Sequence, residues 1–322
     1  EAFEIAKTRR LASIQQTKGN PQSLAFNALN KQLYGEGHPS SVPLGGTIES
    51  VESITLDDLK EYFEQNISPK VAHFHIVGDI NQDESLKALK SFNEKWNGTG
   101  VELPIVEMVN TPSKPTVYFI DIPDAKQSAI TVGTLTVPGT NPLLYQLNVA
   151  NNRLGGGMEA RLMRTLRLEK GYTYGAGSFL RSNKFQTPFY AYSQVRTNVT
   201  LESLEIFRDL ITNYSSTYFQ EDLNVTKNKL IKSNALRFET LSSLINMLDN
   251  ISKYNLPTDY ISNEQDILTN MTVEDIQKLA STYLNGQNMI YVVAGDAKTQ
   301  LELIKNLGFG EAIILDRDGN RI

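Results

Sequence analysis

One short pattern occurs twice in the chain at a single offset, and a duplicated unit restricts the possible folds more than any composition does. Ile54-Thr-Leu-Asp-Asp-Leu59 answers to Met271-Thr-Val-Glu-Asp-Ile276, and 271 − 54 = 217. Ile76-Val-Gly-Asp79 answers to Val293-Ala-Gly-Asp296, and 293 − 76 is again 217. In both copies a threonine with a carboxylate three residues on opens a helix, and Gly-Asp hands over to a second helix. Two kinds of signal at one offset make the chain two copies of one α+β unit. The expectation is two homologous domains of mostly antiparallel sheet with helices packed on one face. Residues 1–110 form the C-terminal part of the first, and residues 111–322 the complete second. Residue 1 then corresponds to about residue 218, so residues 116–217 have no counterpart. The first copy is expected to lack its front half, which would lie upstream in a longer parent chain or be absent.

Hydrophobic period and breakers fill in the elements. Residues 1–34 read as helix with a break at Gly19-Asn20-Pro21, and Gly35 to Gly46 as a loop. Helices open at Thr55 and at Asn81, with a strand predicted over Val71–Val77 between them. Gly98 to Pro115, with three prolines and no period, reads as a linker. Strands are expected at 116–122, 128–136 and 188–196, a helix from Asn141-Pro142 to Arg153, and further helices from Thr200 to Leu268.

The densest stretch runs from Asn152 to Gly177. It reads as a helix end, a hinge at Gly155, Gly156 and Gly157 with φ > 0, a second helix over Met158–Lys170, a turn at Gly171 and a strand with Tyr172 and Tyr174 on one face. Arg167 and Tyr174 can then project into one space as cationic and phenolic donors aimed at peptide carbonyls. The same residues also suit an ordinary helix–turn–strand corner with a solvated arginine and a half-buried tyrosine.

Charge excludes some partners. Lys+Arg 31 against Asp+Glu 36 gives −5, which argues against a nucleic-acid footprint or a polybasic membrane patch. No apolar run approaches the roughly 18–20 residues of a membrane span. The chain opens in charged helical sequence with no leader pattern, as a mature form or a fragment would. Zero cysteines exclude disulfides, thiolate zinc sites and cysteine nucleophiles. The three histidines are His38, His73 and His75. His73 and His75 share a strand face at metal-binding spacing, but sequence places no third ligand near them.

The chain resembles the pitrilysin/insulinase family of zinc metallopeptidases, whose metal motif is the inverted His-x-x-Glu-His, and within it the bacterial mitochondrial-processing-peptidase-like branch. Gly37-His-Pro39, Val77-Gly-Asp79, Gln127, Leu154-Gly-Gly-Gly-Met158 with Arg161-Leu162, and Leu166-Arg-x-Glu-Lys-Gly-Tyr-Thr-Tyr174 carry the likeness. It implies a clamshell of two halves, each of two α+β domains. Zinc sits in one half, and an Arg/Tyr pair from the other binds substrate backbone and stabilises the tetrahedral intermediate. The family's pair is seven apart, as are Arg167 and Tyr174, which take the catalytic role here; Gly155, Gly156 and Gly157 are assigned to substrate binding. No His-x-x-Glu-His occurs, and the position of the family's distal zinc-ligand glutamate falls near Ser13, a poor ligand. The resemblance therefore implies a non-metal half, inactive alone, with no cofactor of its own and zinc in a partner half, either a separate subunit or an upstream part of the same polypeptide. The substrate class is peptide, and the branch implies a bacterial periplasmic or envelope location. Two alternatives stay open: a scaffold member without peptidase role, and a fragment of an active peptidase whose metal motif lies upstream of residue 1, with Ser13 misaligned.

Overall fold

The computed structural model describes residues 1–96, 98, 101 and 105–322. The chain begins with α1 (Ala2–Lys18), α2 (Pro21–Tyr34), α3 (Ile48–Ser53), α4 (Leu56–Asn66) and α5 (Gln82–Lys95). There follow β1 (Thr116–Asp121), β2 (Gln127–Pro138), α6 (Leu143–Gly155), α7 (Arg161–Met163), β3 (Thr173–Leu180), β4 (Gln186–Arg196) and α8 (Thr200–Thr212). The last block is α9 (Gln220–Asn234), α10 (Leu241–Tyr254), α11 (Tyr260–Asn270), α12 (Val273–Tyr283), β5 (Ile290–Gly295), α13 (Ala297–Ile304) and β6 (Ile313–Leu315). Among the described residues the strands form one mostly antiparallel sheet in the order β3-β4-β2-β5-β1-β6, the α+β architecture expected from the sequence.

β5 shows how the layers are built. It pairs in parallel with β1 and antiparallel with β2, and every residue in it is buried, as a strand covered on both faces requires. Tyr291 and Val293 point into the main core with Leu147 and Leu154 of α6, Phe207 of α8 and Ile276 of α12. Ile290, Val292 and Ala294 point the other way, into a smaller core closed by Leu24, Ala28 and Leu29 of α2. The principal helical layer thus packs on one face, and a helix of the first copy covers the other.

Some elements keep the 217-residue offset. Shifting α4 by 217 residues gives the bounds of α12, and the 3-10 turn 69–71 falls on the turn 286–288. Thr55 N donates to Asp58 at 2.7 Å, and Thr272 N to Asp275 at 2.8 Å. Burial separates the copies. Phe63 is 59% exposed and its counterpart Ala280 1%; Phe74 is 63% exposed and its counterpart Tyr291 0%.

That difference corrects the strand expected over Val71–Val77, which is not formed. β5 is a strand because β1 and β2 satisfy its backbone. No strand lies beside 71–77 among the described residues, and a lone segment has no ladder to join. Part of the expected 98–115 linker lies outside the described residues. Its described remainder carries no helix or strand and is pinned to β4, where Val109 and Gln186 exchange hydrogen bonds of 2.7 and 2.9 Å.

Candidate functional site

α6 and β3 meet closely enough to exclude a side chain. Asn151 Nδ2 donates to Ser178 O at 3.0 Å, and the Ser178 hydroxyl donates back to Asn151 Oδ1. Gly155, in the last turn of α6, is buried, and a Cβ there would lie 2.1 Å from Ser178 N. Of the three hinge glycines only Gly157 has a positive φ, +148°, while Gly156 sits at −78°. The expectation that all three supply φ > 0 is therefore corrected: Gly157 turns the chain, and Gly155 is needed for close approach. Gly155 is buried, whereas Gly156 and Gly157 are half-buried.

The helix expected over Met158–Lys170 is shorter and changes type. Residues 156–160 are turns, α7 covers Arg161–Met163, and Arg164–Glu169 is a π turn in which Lys170 N donates to Thr165 O at 3.0 Å. Arg153 and Arg161, on either side of these turns, are both tied to Asp222 of the neighbouring helix α9. Tyr172 N reaches Leu166 O at 2.9 Å across Gly171, whose φ of +63° closes the turn. π turns recur at functional positions. Arg167 lies in this one, exposed, with Nη1 4.0 Å from Met158 Sδ.

Tyr174 owes its position to a β-bulge. Thr173 stands opposite Val195 and Ala176 opposite Ser193, so β3 carries one residue more than β4 across that interval. The Thr173 hydroxyl pins the bulge, donating to Gln194 O and accepting from Gly175 N. A bulge re-aims the side chains beside it. Tyr174 is 88% exposed, whereas Tyr172 packs half-buried against the main core, so the two tyrosines do not share an environment as the strand alternation predicts. Arg167 and Tyr174 thus stand on either side of one turn, both in solvent, on backbone fixed by the buried Leu166 and Ala176.

A charge cluster centred on the buried Asp222, not legible in the sequence, anchors the glycine loop. Asp222 of α9 accepts from Arg153 Nε at 3.0 Å, from Arg161 Nη2 at 2.8 Å and from Phe219 N at 3.1 Å. Burial pushes the Asp222 carboxyl up, but the Phe219 N–H and the two guanidinium groups together hold it below its ordinary value. Arg153 also donates to Glu159 O at 3.1 Å, and Arg161 lies 5.0 Å over the Tyr214 ring. Lys229, two turns further along α9, donates to Gly156 O at 2.9 Å. In sequence Asp222 is one acid in a polar run, and nothing there pairs it with Arg153 or Arg161.

The histidines stand apart from this corner. His38 is buried, stacked 4.5 Å from Tyr34, and its Nδ1 accepts from Ser40 N at 3.0 Å. Burial lowers its pKa, as suits a neutral cap. His73 and His75 lie with rings 6.3 Å apart, and among the described residues no group of three or more His, Asp or Glu side chains could hold a metal ion. Ser13 lines a cavity of about 430 Å³ with Arg10, Lys18, Lys31 and Arg317 against Glu36 and Asp318. An excess of cations around a hydroxyl does not fit a zinc site.

Comparison with known proteins agrees with the resemblance read from the sequence. Residues 53–230, more than half of the chain, match the family described as peptidase M16 inactive domain. The chain is similar to the non-peptidase homolog YmxG of Helicobacter pylori, 25% identical over 92% of this chain and 68% of that protein. It is 24% identical to the uncharacterized zinc protease YmxG of Bacillus subtilis over 74% of this chain and 58% of that one. It therefore spans roughly three-fifths to two-thirds of the length of these relatives. A crystal structure of a peptidase M16 inactive domain from Pseudomonas fluorescens superposes with a TM-score of 0.84 at 26% identity, covering 92% of this chain and 70% of that one. The chain belongs to the peptidase M16 inactive-domain family.

Proposed function

We propose that this chain is the substrate-contacting, non-catalytic half of a clamshell zinc endopeptidase, and that it presents Arg167 and Tyr174 to peptide backbone held at a metal site on a partner half. The supporting observation is the pair of irregular backbone features, a π turn and a bulge, that flank Gly171 and leave both side chains exposed on a rigid corner. A guanidinium fork and a phenol are both donors, and peptide carbonyls are acceptors. In a water-poor chamber each such donor stabilises a developing oxyanion by about 2.7–4 kcal/mol. Lewis-acid chemistry belongs to the zinc-bearing half when the two are joined. This chain's own part is to bind and orient the backbone. The partner is a separate subunit or another part of the same polypeptide.

The scaffold reading draws support from the Helicobacter pylori relative, named a non-peptidase homolog. One experiment separates the two. The purified chain, alone and mixed with a His-x-x-Glu-His chain encoded beside it, is assayed on a quenched fluorescent peptide, with zinc counted by mass spectrometry. The proposal expects no stoichiometric zinc and negligible cleavage by this chain alone, and cleavage in the mixture that falls roughly a hundredfold with Arg167→Ala. Cleavage in the mixture that is indifferent to Arg167 and Tyr174 refutes it and favours the scaffold.

A further inference from the structure

We infer that α9 is the part that places Arg167, with Asp222 and Lys229 as positioning residues; the inference rests on the peptide-gripping reading above. The Arg167 guanidinium lies with Nη1 4.0 Å from the Met158 sulfur. Met158 stands in residues 156–160, a turn with no regular hydrogen-bond ladder, so its position is inherited from whatever holds that turn.

What holds it is one helix. Arg153 before the turn and Arg161 after it share the Asp222 carboxylate, at 3.0 and 2.8 Å. Arg153 reaches forward to Glu159 O at 3.1 Å. Lys229 takes Gly156 O at 2.9 Å, and a Cβ on Gly157 would lie 3.0 Å from its ammonium. Loop entry, exit and middle are thus all fixed to α9. Arg161 is further fastened to Thr217 through its hydroxyl and carbonyl, each at 2.6 Å. Gly157, at φ +148°, lets the chain pass beneath the ammonium and turn Met158 outward. Neither Asp222, which is buried, nor Lys229, which is committed to Gly156 O, has to touch substrate for this placement to matter.

The test uses the chain itself. Methyl-labelled methionine NMR follows Met158, and fluorescence anisotropy follows a fluorescein-labelled, unstructured 20-residue peptide. Lys229→Met should move the Met158 methyl resonance and weaken the peptide roughly tenfold, and Lys229→Arg, which restores a donor, should recover both. Combined with Arg167→Ala, Lys229→Met should add no further loss, because it acts through Arg167. Asp222→Asn should disturb the same resonance; because it opens a buried charge cluster, the exposed Lys229 is the variant on which the decision rests. An unmoved Met158 resonance in Lys229→Met overturns the inference, and so do losses that add to those of Arg167→Ala, which would mean direct contact. Wild-type chain that fails to bind, or binds equally well as Arg167→Ala, overturns the peptide-gripping reading instead, while the NMR response still judges the placement.

Discussion

Gly155 and Tyr174 mark the extremes of what the site tolerates, one position admitting no Cβ and the other almost wholly in water. Gly155→Ala would drive a methyl group into the Ser178 backbone. It should destabilise the chain by about 1–3 kcal/mol or more through overpacking, read as a lower denaturation midpoint at unchanged m. Tyr174→Phe removes one exposed hydroxyl and should leave thermal stability within about 0.5 kcal/mol while weakening peptide binding. A large stability loss from Tyr174→Phe would instead mean that the tyrosine is a structural corner residue. Asp222 adds a pH dependence whose sign is fixed. Its folded-state pKa is depressed, so its contribution is present above the ordinary carboxylate value near about 4 and is lost as pH falls through the folded value. The difference in midpoint between wild type and Asp222→Asn should therefore be largest at neutral pH and shrink below about pH 4.

The duplicated capping boxes give a controlled comparison between elements. Thr55 and Thr272 make the same bonds to Asp58 and Asp275, but α12 contributes the buried Ile276, Leu279 and Ala280, and α4 contributes no buried residue. Thr272→Ala should cost about 1 kcal/mol of global stability. Thr55→Ala should fray α4, seen as faster amide exchange at residues 56–66, with little change in the main unfolding transition. Caps and repeats were legible in the sequence because both are local patterns: Thr55, Asn81 and Thr272 open helices where the spacing says they should. The site was legible only in part. Arg167 and Tyr174 stood out by motif, but the flanking turn is tied through Arg161 to Asp222 and the bulge is set by pairing with β4, both non-local. Asp222 lies 61 positions from Arg161, beyond the reach of any periodic signal. The unformed 71–77 strand fails for a related reason, since a strand's alternation is visible locally but its partners are not.

At the scale of the molecule, the second copy states what the first needs. Tyr291 and Phe309 pack with ring centres 5.1 Å apart under a complete sheet; Phe74 and Phe92, their counterparts at the same offset, are both exposed. Val77 lines one groove with Leu244, Met247 and Leu248 of α10, much as Ala294 packs in the core beneath α2. Residues 71–77 thus meet α10 through Val77 and α5 through His73 and Phe74, much as β5 lies between α2 and α12. In the second copy β1 and β2 flank β5 and complete its sheet, whereas residues 71–77 have no strand beside them among the described residues. With Phe63, Phe74 and Phe92 exposed, the chain should bind an apolar dye such as anilinonaphthalene sulfonate strongly. Phe74→Asp should leave the main unfolding transition of the isolated chain within about 0.5 kcal/mol, because little packing is lost. Tyr291→Ala at the equivalent buried position should cost about 3–5 kcal/mol. If Phe74→Asp proves as damaging as Tyr291→Ala, residues 71–77 are packed in solution as tightly as β5.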